Sequence, residues 1–345
     1  MRKIWTRITI IFIIILLCWL SMGYYWLFVR HNYPALTSET PKEIKIKTGM
    51  EFHEIAVNLY KNKIIENIGF FKLTARLTQT MNRLKAGKYM IPHGLSNWSV
   101  IKLLTEGKVQ LERITIPEGR TFEYYASILQ EKIEIDSTTF CELVHDSSFT
   151  RNLGIDAPTL NGYLFPDTYF FTWGMSEKQC IQVMVNQFKK VFPDSIIDRD
   201  ADMNLTRHQM VILASLIEGE VQLDEEYAIV SAIYRNRLKR GMLLQSCPTI
   251  QYIIPDGPRR LLNRDLEIDS PYNTYIYPGL PPGPINNPGK KSLLGAANPA
   301  DVNYLYMVAR GDGGHRFSSS LRGHLNAKHI FDIYRRQVNR EKRNK

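Results

Sequence analysis

Thr206-Arg-His-Gln-Met-Val-Ile-Leu-Ala-Ser-Leu-Ile-Glu-Gly-Glu220 sets the plan of this 345-residue chain. Thr206, followed three residues on by Gln209, has the form of a capping box and opens a helix. Apolar residues then fill nearly every position from Met210 to Ile217, the pattern of a helix buried over most of its circumference. Glu218 lies four residues past Ala214, on the same stripe. A carboxylate there is costly unless paired or protonated. Burial raises its pKa, which prepares a general acid to work near neutral pH. The same residues fit a structural glutamate paired with Arg235 or Arg237, because structural ion pairs perturb pKa as well. Glu220, two residues on, points to another side of the helix and is the rival acid.

Downstream, Asp224 to Arg240 reads as a second helix, with an apolar face of Ala228, Ile229, Ala232, Ile233 and Leu238 and a stop at Gly241. Leu244 to Tyr252 reads as a turn into a short segment. Ser270 to Tyr275 and Gly279 to Gly289 form a long Pro/Gly/Asn-rich loop, of a length uncommon unless it lines a site. Lys291 to Ala297 reads as a helix. Tyr304 to Ala309 alternates as a strand does, and the turn Gly311-Asp-Gly-Gly314 leads into a second short strand from His315. A helix from Leu325 closes the chain. Upstream, the aromatic-rich Asn161 to Tyr169 suits stacking on sugar faces and equally suits packing. Ser176 to Val191 reads as an amphipathic helix.

The N-terminal part is of a different kind. Ile8 to Val29 carries no charge and, at about 1.5 Å per residue, matches a hydrocarbon core of about 30 Å. Trp19, Tyr24, Tyr25 and Trp26 crowd its far end like an interfacial belt. Arg2, Lys3 and Arg7 precede it and only Arg30 closely follows, which keeps the N-terminus in the cytoplasm and the rest outside. A retained signal anchor is expected over a cleaved signal: no small-x-small site is evident, and Leu17 before Cys18 is too bulky for a good lipobox. Residues 32–43 read as a polar linker. From residue 44 a motif of strand, glycine turn and amphipathic helix recurs, at Ile44 to Gly49, at Pro92 to Gly94 and at Ile114 to Gly119. Such units resemble LysM-like modules, which bind glycan chains. They also fit a ligand-free structural repeat, because the matching positions are those a core needs. The fold expected is α+β: residues 1–31 as cytoplasmic terminus and transmembrane anchor, 32–43 as linker, 44–112 as a small LysM-like module, and 113–345 as a larger catalytic domain.

Net charge is +10, but the N-terminal basic residues and a basic tail from Arg335 hold nearly all of it. The near-neutral middle argues against a nucleic-acid surface. Cys18, Cys141, Cys180 and Cys247 show neither CxxC nor metal-ligand spacing and read as small buried residues. His208, His315, His324 and His329 leave a metal hydrolase as one reading. HExxH is absent, however, and the five-residue gap between His324 and His329 is poor for one helix face.

Several segments together resemble one family. Leu213-Ala-Ser-Leu-Ile-Glu-Gly-Glu220 is similar to the signature helix of the MltG (YceG-like) endolytic murein transglycosylases. Gly162-Tyr-Leu-Phe-Pro-Asp-Thr-Tyr169, Leu244-Gln-Ser-x-Pro-Thr249, Ser270-Pro-Tyr-Asn-Thr-Tyr275, Gly279-Leu-Pro-Pro-Gly283 and Gly313-Gly-His-x-Phe317 follow in that family's order. Cys247 departs from an expected aspartate, which implies a slower or differently tuned acid; Gly219, where some relatives are expected to carry lysine, is a lesser departure. The resemblance implies cleavage of peptidoglycan glycan strands at the outer face of the inner membrane, near penicillin-binding synthases, with Glu218 as the catalytic residue. No cofactor and no metal is expected. Gln245, Asn273, Tyr275 and His315 are candidates for binding sugar or orienting Glu218. Asn273 is equally suited to capping a turn, Tyr275 to packing a core, and His315 to satisfying a loop. The rival function is a non-catalytic glycan-binding scaffold of the wall-synthesis machinery.

Overall fold

The structure is a computed structural model that describes residues 2–33, 40–106, 110–197, 203–255 and 257–343. Two compact units divide the chain. The first comprises Met1–Ile114 with Gln130–Ile135 and Phe170–Ser176, and the second comprises Thr115–Leu129, Asp136–Tyr169 and Glu177–Lys345.

The first unit opens with helix α1 (Arg2–Tyr24), which ends in a wide turn of π-helix over Tyr25–Val29. The stretch Arg7–Val29 is long and apolar enough to cross a membrane. Then follow β1 (Lys42–Ile46), α2 (Phe52–Lys61), α3 (Ile68–Leu77), β2 (Gly87–Ile91), α4 (Asn97–Glu106) and β3 (Leu111–Thr115). β1 and β2 pair antiparallel with Ile44 opposite Tyr89. Alternation turns Ile44, Ile46, Tyr89 and Ile91 to one face, where Ile55 and Leu59 of α2, Phe71 and Ala75 of α3, and Val100, Ile101 and Leu104 of α4 close a core. The three strand–turn–helix copies are all present, and their turns share a left-handed glycine: Gly49 at φ +83°, Gly94 at +78° and Gly119 at +69°. Any other residue is strained there. α3 interrupts the period, so the copies do not stack as equal repeats.

The segment after the apolar helix is tied down at its start. Asn32 donates from Nδ2 to the Leu95 carbonyl (2.9 Å) and to Asn97 Oδ1 (3.1 Å), while His31 Nδ1 pairs with the Gly94 carbonyl. The rest of the expected linker includes 34–39, which lie outside the described residues.

The second unit is built on α10 (Arg207–Glu220). Before it in the chain come α5 (Phe122–Ile133) and β4 (Thr168–Thr172, paired with β3), each of which the division between units cuts, and α6 (Ser137–His145), α7 (Ser147–Asn152), α8 (Glu177–Val191) and α9 (Asp194–Ile197). After it come α11 (Tyr227–Lys239), α12 (Cys247–Ile253), α13 (Lys290–Ala297), β5 (Tyr306–Ala309), β6 (His315–Ser318) and α14 (Leu321–Arg343). The capping box forms as expected: Gln209 N donates to Thr206 Oγ1 (3.2 Å) and Thr206 N to Gln209 Oε1 (2.9 Å). Every residue from Met210 to Ile217 is buried, with α11, α12 and α13 packed around the helix. β5 and β6 form an antiparallel hairpin with Met307 opposite Phe317. The segment expected only as a turn and short piece holds α12, begun by Pro248 in the first turn, where its missing N–H is harmless.

The cysteines correct one expectation. All four are free thiols, but only Cys180 is buried; Cys141 is half-buried, and Cys18 and Cys247 are exposed.

Candidate active site

α10 carries Glu218 out of the core in its last turn. The residue shares the stripe of buried Ala214 but is itself half-buried, not buried as its sequence pattern suggests. Its Oε2 accepts two hydrogen bonds, from Gly289 N (3.0 Å) and from Ser292 Oγ (2.6 Å). Both donors belong to the N-terminal end of α13, where unpaired N–H groups and the helix dipole favour an anion. Arg237 and Arg235 serve backbone oxygens. Arg237 donates to the carbonyls of Leu244 (2.8 Å) and Leu305 (2.7 Å), and Arg235 to that of Ala296 (2.6 Å).

The long Pro/Gly/Asn loop lines this site, as its composition suggests. Buried Ser215 on α10 anchors it by accepting from Ile285 N (3.1 Å), and the Ser215 carbonyl accepts from Asn286 Nδ2 (2.9 Å). Asn287, wholly buried, ties three segments together. Its Oδ1 accepts from Gly162 N (3.0 Å) and Leu164 N (3.2 Å), its Nδ2 donates to the Arg120 carbonyl (3.1 Å), and its own carbonyl accepts from Gly119 N (3.0 Å).

That clamp brings in a carboxylate that sequence reasoning missed. Glu118 lies in the turn Pro117-Glu-Gly119, fixed from below by Tyr125, whose hydroxyl donates to the Pro117 carbonyl (2.7 Å). A Cβ at Gly289 would lie 2.2 Å from the Glu118 carboxyl, and one at Gly119 would lie 3.3 Å from Glu218 Cγ. Both carboxylates therefore border Gly289. Glu118 keeps part of its surface exposed, but crowding by protein and then the like charge of Glu218 raise it above the ordinary carboxylate range, while Lys291 pulls the other way. Beside them, burial and then the charges of Glu218, Glu118 and Asp224 push the Tyr227 phenol up to about 12, so it remains a donor. The only signal for Glu118 in the sequence was the Pro-Glu-Gly turn itself, which the repeat accounted for.

The other candidates fall in two groups. His315 is buried at the start of β6. Its Nδ1 and backbone N both meet Glu226 (2.7 Å each), and its Nε2 faces Glu220 Oε1 at 3.7 Å. The flanking carboxylates of Glu220 and Glu226 raise the imidazole above its ordinary range against the opposing effect of burial. Glu220, the rival acid, is thus engaged by the hairpin. Tyr275 is half-buried with its hydroxyl 3.2 Å from Cys247 Sγ, at the first position of α12. Gln245 is exposed, holds a left-handed φ of +48°, and donates its backbone N to the Thr274 carbonyl (3.0 Å). Asn273 is wholly buried: Nδ2 donates to the Leu266 (3.0 Å) and Ile268 (2.8 Å) carbonyls, and Oδ1 accepts from Tyr275 N (2.9 Å). It shapes its loop with all of those contacts. Gly219 carries more weight than a minor departure, since a Cβ there would lie 2.6 Å from Pro248 Cβ.

Of the other histidines, His208 pairs through Nδ1 with the Tyr163 hydroxyl (2.9 Å), and His324 packs on Tyr306. Among the described residues, no group of three or more His, Cys, Asp or Glu side chains is arranged so that it could hold a metal ion.

Fold and geometry together set two neighbouring carboxylates, Glu118 and Glu218, at the end of a buried helix in an α+β chain. The chain belongs to the YceG-like family, whose sequence profile matches residues 44–329. It is 30% identical over 307 residues to the endolytic murein transglycosylase of Bacillus subtilis strain 168, covering 84% of this chain and 85% of that one. It is 27% identical over 300 residues to the protein of the same name from Streptococcus pneumoniae D39, covering 77% of this chain but only 54% of the longer relative. A crystal structure of a protein described as YceG-like from Listeria monocytogenes superposes with a TM-score of 0.57 at 28% identity, over 84% of this chain and 99% of that one.

Proposed function

We propose that this chain is a membrane-anchored endolytic murein transglycosylase, a lyase that cuts peptidoglycan glycan strands between N-acetylmuramic acid and N-acetylglucosamine. The observation that carries the reading is the seating of Glu218: one carboxylate oxygen held by Gly289 and Ser292, the other free to work. In this mechanism Glu218 starts protonated on Oε1, since Oε2 is committed to two donors. The proton passes to the glycosidic oxygen as the C1–O bond breaks. The resulting carboxylate takes the proton of the muramic C6 hydroxyl, whose oxygen bonds to C1 and closes a 1,6-anhydro ring. Glu218 ends as it began, and no water is consumed. The nucleophile is tethered to the carbon it attacks, an advantage of the kind that gives large effective molarities. Tyr275, His315 and Gln245 bind sugar or hold the flank of the site in this reading, and Asn273 shapes the loop that presents Tyr275. The apolar helix serves as a single-pass anchor in the inner membrane, with the second unit outside, and residues 44–112 form a LysM-like module that binds glycan or serves as a structural repeat. Penicillin-binding synthases are the expected neighbours.

Glu118 favours a second reading. Two carboxylates at one site are what a glycosidase uses to activate water, so hydrolysis is the competitor. Mass spectrometry of fragments released from peptidoglycan separates the two. The lyase gives 1,6-anhydro ends, lighter by one water than hydrolytic ends, and Glu218→Gln abolishes them while the melting temperature holds. Reducing ends from the wild type would overturn the lyase. Binding without any new ends would leave a glycan-binding scaffold. Loss of cleavage in Glu220→Gln with activity kept in Glu218→Gln would move the acid to Glu220.

A further inference from the structure

The end of α1 and one side of α3 form two cavities that the glycan chemistry does not use. The first is an apolar groove of about 390 Å³ lined by Trp19, Met22, Gly23 and Trp26 of the span and its π-turn and by Phe70 and Leu73 of α3. The second, of about 220 Å³, shares Trp26 and Phe70 with it and is polar, lined by Arg30, His31, Glu66, Asn67 and Asn97. The apolar groove and the polar pocket therefore adjoin at Trp26 and Phe70.

The setting decides what fills it. Met22 lies seven residues before Val29, about 10 Å back along the span at helical rise, so the groove opens at the level of acyl chains if α1 crosses a bilayer. α3 is turned the wrong way round for water. Phe71, Thr74 and Ala75 face the core, while Phe70, Leu73 and Leu77, spaced three and four apart, are 39%, 43% and 59% exposed. Such a face beside a span suits lipid. In the polar cavity Arg30 stacks on Trp26 at 4.0 Å and pairs with Glu66 at 3.0 Å. The pocket thus offers one cation, one anion and neutral amides, which matches a head group carrying both a phosphate and an ammonium.

We propose that this site holds one zwitterionic glycerophospholipid of the outer leaflet, with an acyl chain in the groove, the phosphate at Arg30 and the head-group ammonium at Glu66. The proposal rests on reading α1 as a membrane span. Gly23 supplies the test: a Cβ there meets no atom within 4 Å, so the side chain of Gly23→Phe leaves the backbone into open space at the groove. The full chain is reconstituted in nanodiscs of phosphatidylethanolamine or of phosphatidylglycerol, released into mild detergent and weighed by native mass spectrometry. The expected result is a phosphatidylethanolamine adduct on the wild type, reduced at least tenfold in Gly23→Phe with an unchanged melting temperature, and no comparable phosphatidylglycerol adduct. Equal retention of both lipids, equal retention by the variant, or no adduct on the wild type overturns the proposal. So does a dimer that Gly23→Phe dissolves, which would place a second copy's helix in the groove. Carbonate extraction separates the two failures: a chain washed from membranes refutes the span itself, whereas a chain that stays but carries no lipid refutes only the site.

Discussion

Glu118 and Glu218 lie a hundred residues apart in the chain, yet both reach Gly289. Crowding by protein and the like charge of Glu218 hold Glu118 above the ordinary carboxylate range. Glu118→Gln removes that raised carboxyl, so the limb of the pH–activity profile that Glu118 sets is lost. The profile of anhydro-end formation checks this; an unmoved limb would mean that Glu118 does not face the working proton. Ser292 gives a second test. Its hydroxyl donates to Glu218 Oε2 at 2.6 Å, and a hydrogen bond to a charged group contributes about 1.5–3 kcal/mol. Ser292→Ala is expected to lower kcat/KM by about 10- to 100-fold on that scale, with the melting temperature close to that of the wild type.

At the scale of elements, the β5–β6 hairpin is tied to the start of α11 by His315 and Glu226. Because the imidazole is raised in the folded state, its contribution is fully present below the ordinary value of 6.5 and is lost as pH climbs through the raised one. The melting-temperature gap between wild type and His315→Gln is therefore widest near about pH 6 and closes on the alkaline side; a gap independent of pH would remove the charged pair from the account. Elements whose signals are local were legible in the chain. The Thr206–Gln209 box, the run Met210 to Ile217, the three glycine turns and the alternation before Gly311 each state their structure within a dozen residues. The site was legible only in part. Glu218 announces itself as an acid in an apolar run, but its half-exposed position follows from where α10 ends. Glu118 and Asn287 carry no local sign of their partners, because their roles exist only once the loop 279–289 lies against α10 and the turn at Gly119. Asn273 illustrates the same limit, since a polar residue in a loop motif reads alike whether it meets a sugar or its own backbone.

At the scale of the molecule, the apolar helix and the paired carboxylates fall in different units. The first has its own core around Ile65, Phe71 and Ile101, while Glu118, Glu218, Gly289 and Ser292 all belong to the second. Ile101→Val removes one methylene from the first core and is expected to destabilise that unit by about 0.5–1.5 kcal/mol. Cleavage of a soluble glycan fragment by the folded protein should not change; a fall in kcat would show that the cores are not independent. The tie between the span and the first unit has a mechanical consequence. Arg30 bonds to Glu66, Asn32 to Leu95 and Asn97, and Leu27 is buried against the unit. A stretch of 23 residues is about 34 Å long as a helix, a little more than a hydrocarbon core of about 30 Å, and such a helix relieves the mismatch by tilting. In the membrane-anchored reading proposed above, a helix tied in this way at its end passes its tilt to the first unit, so bilayer thickness would set the angle at which that unit leans over the membrane.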